Sequence, residues 1–392
     1  MNTLLVVAGE ASGDLHGAEI LAALKRLRPD LRIVGVGGAG MRPYMDEVLA
    51  DVSELGVMGF FEVARHLPQI LKLEKRILEL ADEEDACMAL LIDYQTFNLR
   101  LAKALRGRRP WMRLHQYVCP QVWAWKKGRI PVLGAAFDAL YCLFDFEPPL
   151  FEGQPIEAVC FGHPLTDLVR PEMDRGAFFA ETGLDPKRSL VALLPGSRDG
   201  ELKRLMPAML GLVKTWGESA GHGGLENKNT RTPQVQWVLP VAPTLDADRV
   251  RADVGNLPIK VVENRGYASR AYADAALVCS GTATLETAML GTPFAILYRM
   301  NPLTLAMARR LVKIKHFGLA NIVAGREVAR EMLQGEVTPE NLRRELLRLL
   351  DPTNAAAIRS DLASLKERLG EPGAAERVAG HLDKAITDMC GE

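Results

Sequence analysis

Two doubly wound, parallel-sheet α/β halves of Rossmann-like kind, followed by a helical tail, make up the fold class this sequence predicts. Three observations predict it. Leu4–Ala8 is a short apolar run that ends in a glycine-bearing turn, Gly9–Asp14, and passes into a helix from about His16 to Leu27. After a polar, proline-bearing stretch from Leu165 to Lys187, a new β-α series starts at Ser189–Leu194 with the turn Pro195-Gly196-Ser197-Arg198. Leu277–Tyr298 then runs strand, small-residue turn, helix, strand. Strands alternating with helices call for a parallel sheet covered on both faces.

Composition bounds the class. A chain of 392 residues is too long for one ordinary core and suits two or three domains. Lys plus Arg nearly cancels Asp plus Glu, for a net charge of −1, so no basic field exists for nucleic acid. The six cysteines are scattered without a CxxC pair, which reads as reduced thiols and not as a disulfide or zinc framework. The opening MNTLLVVAGEASGD has no basic leader, and its apolar run is too short for a signal or a membrane span. A cytoplasmic protein is expected, with attachment to a membrane surface left open.

In order along the chain, Arg32–Val36 is the next strand. The Gly37-Gly38-Ala39-Gly40 segment after it reads as a tight βα turn in preference to a phosphate-binding one. Val57–Leu80 carries more apolar surface than one buried stripe needs, with Arg65, Lys72, Lys75 and Arg76 among it and Gly59 and Pro68 interrupting. It is either a core helix or an interfacial patch for an anionic membrane or acyl chain. Cys87–Ile92 is a strand ending in Asp93. An Asp at the carboxyl end of a parallel strand faces the ligand crevice, or else caps the following helix, Phe97–Leu105. Met112–Val118 leads to Pro120-Gln121-Val122-Trp123-Ala124-Trp125, two tryptophans in a proline-led loop, and Ala139–Phe144 and Ala158–Phe161 complete the first half.

In the second half, Arg198 stands at a turn where a guanidinium meets a phosphate bidentately. Gly217–Pro233, rich in Gly, Asn and Thr, reads as a disordered surface loop. Val235–Leu239 and Lys260–Val262 continue the sheet, Asn301–Lys313 is a helix, Asn321–Glu327 is a loop, and the chain is helical after Glu340 with a break near Gly370 and Pro372. Within Leu277–Met300, free N–H groups at Ser280-Gly281-Thr282-Ala283 and the dipole of the helix behind them make an anion site. Glu286 lies one turn further in, where a carboxylate accepts hydrogen bonds from a vicinal diol. A diphosphate joined to a ribose satisfies both, although an ordinary β-α-β unit with a capping Thr reads the same way.

The strings AGEASGD (8–14), GVMGFFEV (56–63), PQVWAW (120–125), FGHPLTD (161–167), LLPGSR (193–198), SGTATLE (280–286), YRMNPLT (298–304) and NIVAGREV (321–328) together resemble the lipid-A-disaccharide synthases, glycosyltransferase family 19. The resemblance implies a GT-B fold: an acceptor and membrane-facing domain over 1–168, a UDP-sugar-binding domain over 169–345, and a tail over 346–392 packing back on an N-terminal domain. It implies transfer from UDP-2,3-diacylglucosamine to 2,3-diacylglucosamine 1-phosphate, giving a β-1,6 disaccharide and UDP with inversion. No cofactor and no metal are implied for the chemistry. The implied setting is peripheral, on the cytoplasmic face of the inner membrane, with a homodimer exchanging C-terminal segments.

An inverting transfer needs a base opposite the leaving group. Asp93 is the first candidate, and Glu10 and Asp14 are alternatives or acceptor-binding groups. Arg198 and the Thr282–Ala283 helix start balance the diphosphate, Glu286 holds the ribose, and Asn321 and Glu327 line the donor side. Thr96 stands where the family more usually has a second carboxylate, which puts an acid role there in question. Phe61, Val63, Leu67, Ile70 and Leu71, with Leu205 and Met206, are the expected seat of acyl chains and membrane. A UDP-sugar 2-epimerase or a non-catalytic sugar-nucleotide or lipid binder are the competing readings. The apolar patch argues against the first, and Asp93 with Arg198 argues against the second.

Overall fold

The computed structural model describes residues 2–52, 63–124, 127–216, 233–300 and 315–390. It divides into two compact units, Met1–Asp167 with Leu369–Glu392, and Leu168–Arg368. The first contains β1 (Thr3–Ala8), α1 (Ala11–Leu27), β2 (Arg32–Val36), β3 (Glu47–Ala50), α2 (Val63–Glu83) and β4 (Met88–Ile92). It continues through α3 (Gln95–Arg108), β5 (Arg113–Tyr117), α4 (Ile130–Ala136), β6 (Ala139–Cys142), β7 (Glu157–Cys160) and the single turn α5 (Leu165–Leu168). All seven strands are parallel, in the order β3-β2-β1-β4-β5-β6-β7.

The continuous apolar runs of β1 and β4 follow from burial on both faces. Leu5 and Val7 point into a core shared with α2, α3 and α4. Their neighbours Leu4, Val6 and Ala8 point into a second core with Ile20, Leu21 and Leu24 of α1. That second core is completed by Val378, Ala379, Leu382 and Ile386 of the last helix.

The second unit comprises α6 (Arg175–Thr182), β8 (Ser189–Leu194), α7 (Asp199–Thr215), β9 (Val235–Val241), α8 (Ala247–Val254), β10 (Ile259–Glu263), α9 (Gly266–Ala271) and β11 (Ala275–Cys279). Then come α10 (Thr282–Met289), β12 (Phe294–Tyr298), α11 (Leu319–Ala324), β13 (Glu331–Leu333), α12 (Pro339–Leu350) and α13 (Pro352–Glu367). Its six strands are parallel, in the order β10-β9-β8-β11-β12-β13. The last helix, α14 (Ala374–Cys390), returns to the first unit.

Several expectations are corrected. The helices α12 and α13 belong to the second unit rather than to a tail, because they bury Leu342, Leu346 and Leu349, and Ile358, Leu362 and Leu365. The segment 165–187 is no plain linker: α6 buries Phe178 and Phe179, is capped by Asp174, and ends at Gly183 with φ +70°. Residues 319–324 are helical, closed by Gly325 at φ +69°, where a loop was expected. Pro68 lies inside α2 and does not end it. The expected loop 217–233, for all but its last residue, and the expected helix 301–313 fall outside the described residues.

Candidate functional site

In the second sheet the winding direction reverses between β8 and β11, so the turns after their carboxyl ends open side by side, where doubly wound sheets bind ligands. A cavity of about 720 Å³ lies at that switch point. Arg198, Ser280, Gly281, Thr282, Ala283 and Glu286 all line it, so six expected donor-side residues come together. The Thr282 and Ala283 N–H groups open α10 and have no carbonyl one turn back to meet. Gly196 sits at φ +129°, and a Cβ there would stand 2.5 Å from the Glu201 side chain. Arg198 extends into solvent, its side chain 84% exposed, with Nη1 3.4 Å from Glu201 Oε1. Glu201 Oε2 accepts from the Ser197 N–H at 2.9 Å.

Glu286 is braced by residues that motif reading passed over. Its Oε2 accepts from Arg270 Nη1 at 2.6 Å and its Oε1 from the Tyr267 hydroxyl at 3.2 Å. The Arg270 guanidinium lies 4.8 Å from the centre of the Tyr267 ring. Burial, and then the Glu286 charge, push the Tyr267 hydroxyl up to about 12, which keeps it a neutral donor. An ionised carboxylate has about four lone-pair sites, so roughly two on Glu286 remain for a diol. Glu172 also lines the cavity and accepts from the Tyr267 and Ala268 N–H groups at 2.9 and 2.7 Å. The signal for Tyr267 and Arg270 was their place just after the strand β10, at a carboxyl end.

Asn321 and Glu327 do not join this cavity. Asn321 is fully buried. Its amide donates to Ala329 O at 2.7 Å and to Glu331 Oε1 at 2.9 Å, and its oxygen accepts from the Val328 and Ala329 N–H groups. It is a brace between α11 and β13. Glu327 lies with Arg330, Arg348, Asn354 and Asp361 around a separate polar depression.

In the first unit the reversal falls between β1 and β4. Asp93 leaves the carboxyl end of β4 with φ +47°, and Tyr94 follows at φ +51°. Two consecutive non-glycine residues in the left-handed region cost about 1–3 kcal/mol each, and such strain gathers at functional sites. The surroundings hold the turn. The Asp93 N–H donates to Tyr117 O at 3.0 Å, and the buried Asn98 amide donates to Gln116 Oε1 at 3.2 Å. Gly9 leaves room for the Tyr94 ring, since a Cβ there would stand 2.2 Å from it. Asp93 Oδ2 accepts from the Ser12 hydroxyl at 3.2 Å. Burial raises its pKa, against the Ser12 hydrogen bond, so it is a stronger base than an ordinary carboxylate. His16, one turn beyond Ser12 on α1, has a buried Nδ1 without a partner, and burial lowers its pKa to about 4.

The two alternatives to Asp93 fare differently. Asp14 accepts from the N–H groups of Gly38, Gly40 and Met41 at 2.7, 2.8 and 3.0 Å. Its carboxylate is engaged in fixing the glycine turn after β2, a structural task. Glu10 is exposed at the start of α1, near enough to Tyr94 for its charge to raise that hydroxyl, after burial.

Of the expected acyl-patch residues whose side chains are described, three are buried and one is exposed. Ile70 belongs to the first unit's core, and Leu205 and Met206 are buried in the second unit. Leu71 is exposed. Phe61 and the side chains of Val63 and Leu67 lie outside the described residues. Trp123 is half-buried, its indole donating to Glu147 at 3.0 Å, while Trp125 lies outside the described residues.

Comparison with known proteins extends this geometry. The family model described as lipid-A-disaccharide synthetase matches residues 4–381. A lipid-A-disaccharide synthase of Geobacter sulfurreducens is 39% identical over 393 residues, covering 99% of this chain and 97% of the relative. One from Syntrophotalea carbinolica is 40% identical over 395 residues, covering 99% and 96%. Among solved structures, the UDP-GlcNAc 2-epimerase of Neisseria meningitidis bound to UDP-GlcNAc aligns with a TM-score of 0.62 at 11% identity, covering 97% of this chain and all of that one. The calicheamicin glycosyltransferase CalG4 aligns with a TM-score of 0.60 at 12% identity, covering 99% of each chain. At those identities the structural likeness speaks for the GT-B fold alone.

Proposed function

This chain belongs to the lipid-A-disaccharide synthase family and is a glycosyltransferase of lipid A biosynthesis; from that premise we propose the substrates, the residues and the stereochemistry. The donor is UDP-2,3-diacylglucosamine and the acceptor 2,3-diacylglucosamine 1-phosphate, and the products are the β-1,6 disaccharide 1-phosphate and UDP. The observation that carries the donor side is the 720 Å³ cavity at the β8/β11 switch point. There the Arg198 guanidinium and the Thr282 and Ala283 N–H groups take the diphosphate, and Glu286, braced by Arg270 and Tyr267, takes the ribose hydroxyls. As the glycosidic C–O bond breaks, these groups carry the charge that gathers on UDP.

On the acceptor side Asp93 removes the proton of the 6-hydroxyl as its oxygen attacks the anomeric carbon. Attack from the face opposite UDP turns an α-linked donor into a β-linked product. The strained Asp93–Tyr94 turn and the raised pKa of Asp93 support this assignment. The work is done at the cytoplasmic face of the inner membrane, where both lipid substrates lie. Among the described residues no helix is long and apolar enough to cross a membrane.

Titration of wild type and Arg198→Ala with UDP tests the donor assignment. The variant is expected to bind about 10- to 100-fold more weakly, the equivalent of one lost charge-assisted contact. Unchanged affinity removes Arg198 from the diphosphate site.

A further inference from the structure

Cys119 follows β5, Cys142 ends β6, and Glu147 lies in the turn after it; none of them has a part in the reaction above. Cys119 Sγ, Cys142 Sγ and a Glu147 carboxylate oxygen all lie within 4.8 Å of one another, and all three residues are 2–3% exposed. Sequence spacing hid the group, because strand pairing and not a CxxC string brings it together: β5 and β6 are neighbours, with Tyr117 opposite Tyr141. We propose that Cys119, Cys142 and Glu147 form a site for a thiophilic divalent cation of the zinc kind, as three of its four ligands with water in the fourth position.

Three physical features support it. Two thiolates and a carboxylate are a donor set that zinc accepts. Sulfur ligands on a tetrahedral zinc stand about 3.8 Å apart, so closing the group needs side-chain movements of about 1 Å or less. The carboxylate is already oriented from behind: Glu147 Oε1 accepts from the Trp123 indole at 3.0 Å, and Oε2 accepts from the Leu143 and Phe144 N–H groups at 3.0 and 3.1 Å. Outer hydrogen bonds of this type fix a ligand's direction. Binding M²⁺ releases both thiol protons to solvent and leaves two thiolates, the carboxylate and the cation, a net charge of −1; burial lifts the Glu147 carboxyl to about 7, so any proton it holds leaves as well. The site would tie the carboxyl ends of β5 and β6 to the turn that holds Trp123.

Cadmium tests this, because thiolate-to-cadmium charge transfer absorbs in the ultraviolet. The reduced, full-length protein, titrated with Cd²⁺ at about pH 8.5, where Glu147 is ionised, is expected to take up one equivalent with that band and to release two protons, counted with a pH indicator. Cys119→Ser and Cys142→Ser each lose the band, and Cys87→Ser, altered at a buried cysteine elsewhere in the same unit, keeps it. Trp123→Phe weakens binding by about 10- to 100-fold while keeping the band. Should a cysteine variant fail to fold, the ¹¹³Cd NMR resonance of the loaded wild type gives a second reading: it is expected at the shift of a cadmium with two sulfur ligands, and a shift typical of oxygen and nitrogen ligands alone would overturn the site. Absence of the band, its persistence in both cysteine variants, or a Cys119–Cys142 disulfide forming in air in protein that takes up no metal when reduced would each overturn the proposal.

Discussion

At the scale of single residues, the account rests on Asp93. Asp93→Ala is expected to lower turnover by about 10²- to 10⁴-fold, the usual worth of a general base, with UDP affinity unchanged. Steady-state rates and UDP titration together check this, and near-normal turnover would remove Asp93 as the base. Ser12→Ala gives a sharper reading. The Ser12 hydroxyl stabilises the ionised carboxylate. Its loss raises the pKa of Asp93 further, so the acidic limb of the kcat/KM profile is expected to move to higher pH; a limb that stays put or moves down contradicts the assignment. The place of Asp93 at a strand end was legible in the sequence, because an apolar run closes on it. Asp14 looked equally available. Only the fold brings Gly38, Gly40 and Met41 within reach of its carboxylate, 24 to 27 residues along the chain.

At the scale of elements, the turns line the donor-side cavity and the helices behind them hold the turns. The pairing of Asp14 with the turn after β2 has a measurable consequence. Asp14→Ala strands three backbone N–H groups and is expected to cost about 2–5 kcal/mol, read from the urea midpoint. An unchanged midpoint would mean that water replaces the carboxylate without cost. Most strands were readable from apolar runs, because burial on both faces leaves no polar alternation to confuse them. The short helices α6 and α11 were not, since their few residues sit in polar or glycine-bounded stretches with no full hydrophobic period. The brace around Glu286 was missed for a related reason. Arg270 and Tyr267 on α9 approach α10 from another part of the chain, and their place after the carboxyl end of β10 is the one local signal they carry.

At the scale of the whole molecule, the boundary of the first unit is not continuous in sequence. The helix α14 places Val378, Leu382 and Ile386 in the core beside Ile20, Leu21 and Leu24. Arg377 donates to Phe161 O, Asp167 accepts from the Gly373 N–H, and Arg28 pairs with Asp383. Burying three such apolar side chains contributes about 1.5–3 kcal/mol each, a large share of a domain's net stability. A chain ending at Arg368 is therefore expected to lose the cooperative unfolding transition of the first unit, followed by calorimetry; a retained transition would show that α14 is dispensable. In this chain α14 packs on its own first unit, and an exchanged dimer would place the partner's α14 there instead.

The proposed transfer itself is open to product analysis. The protein is incubated with UDP-2,3-diacylglucosamine and 2,3-diacylglucosamine 1-phosphate, and the products are separated and their anomeric configuration read by NMR. UDP and a β-1,6-linked disaccharide 1-phosphate are expected in equal amounts. An α-linked product, or consumption of the donor without incorporation of the acceptor, would contradict the proposed transfer.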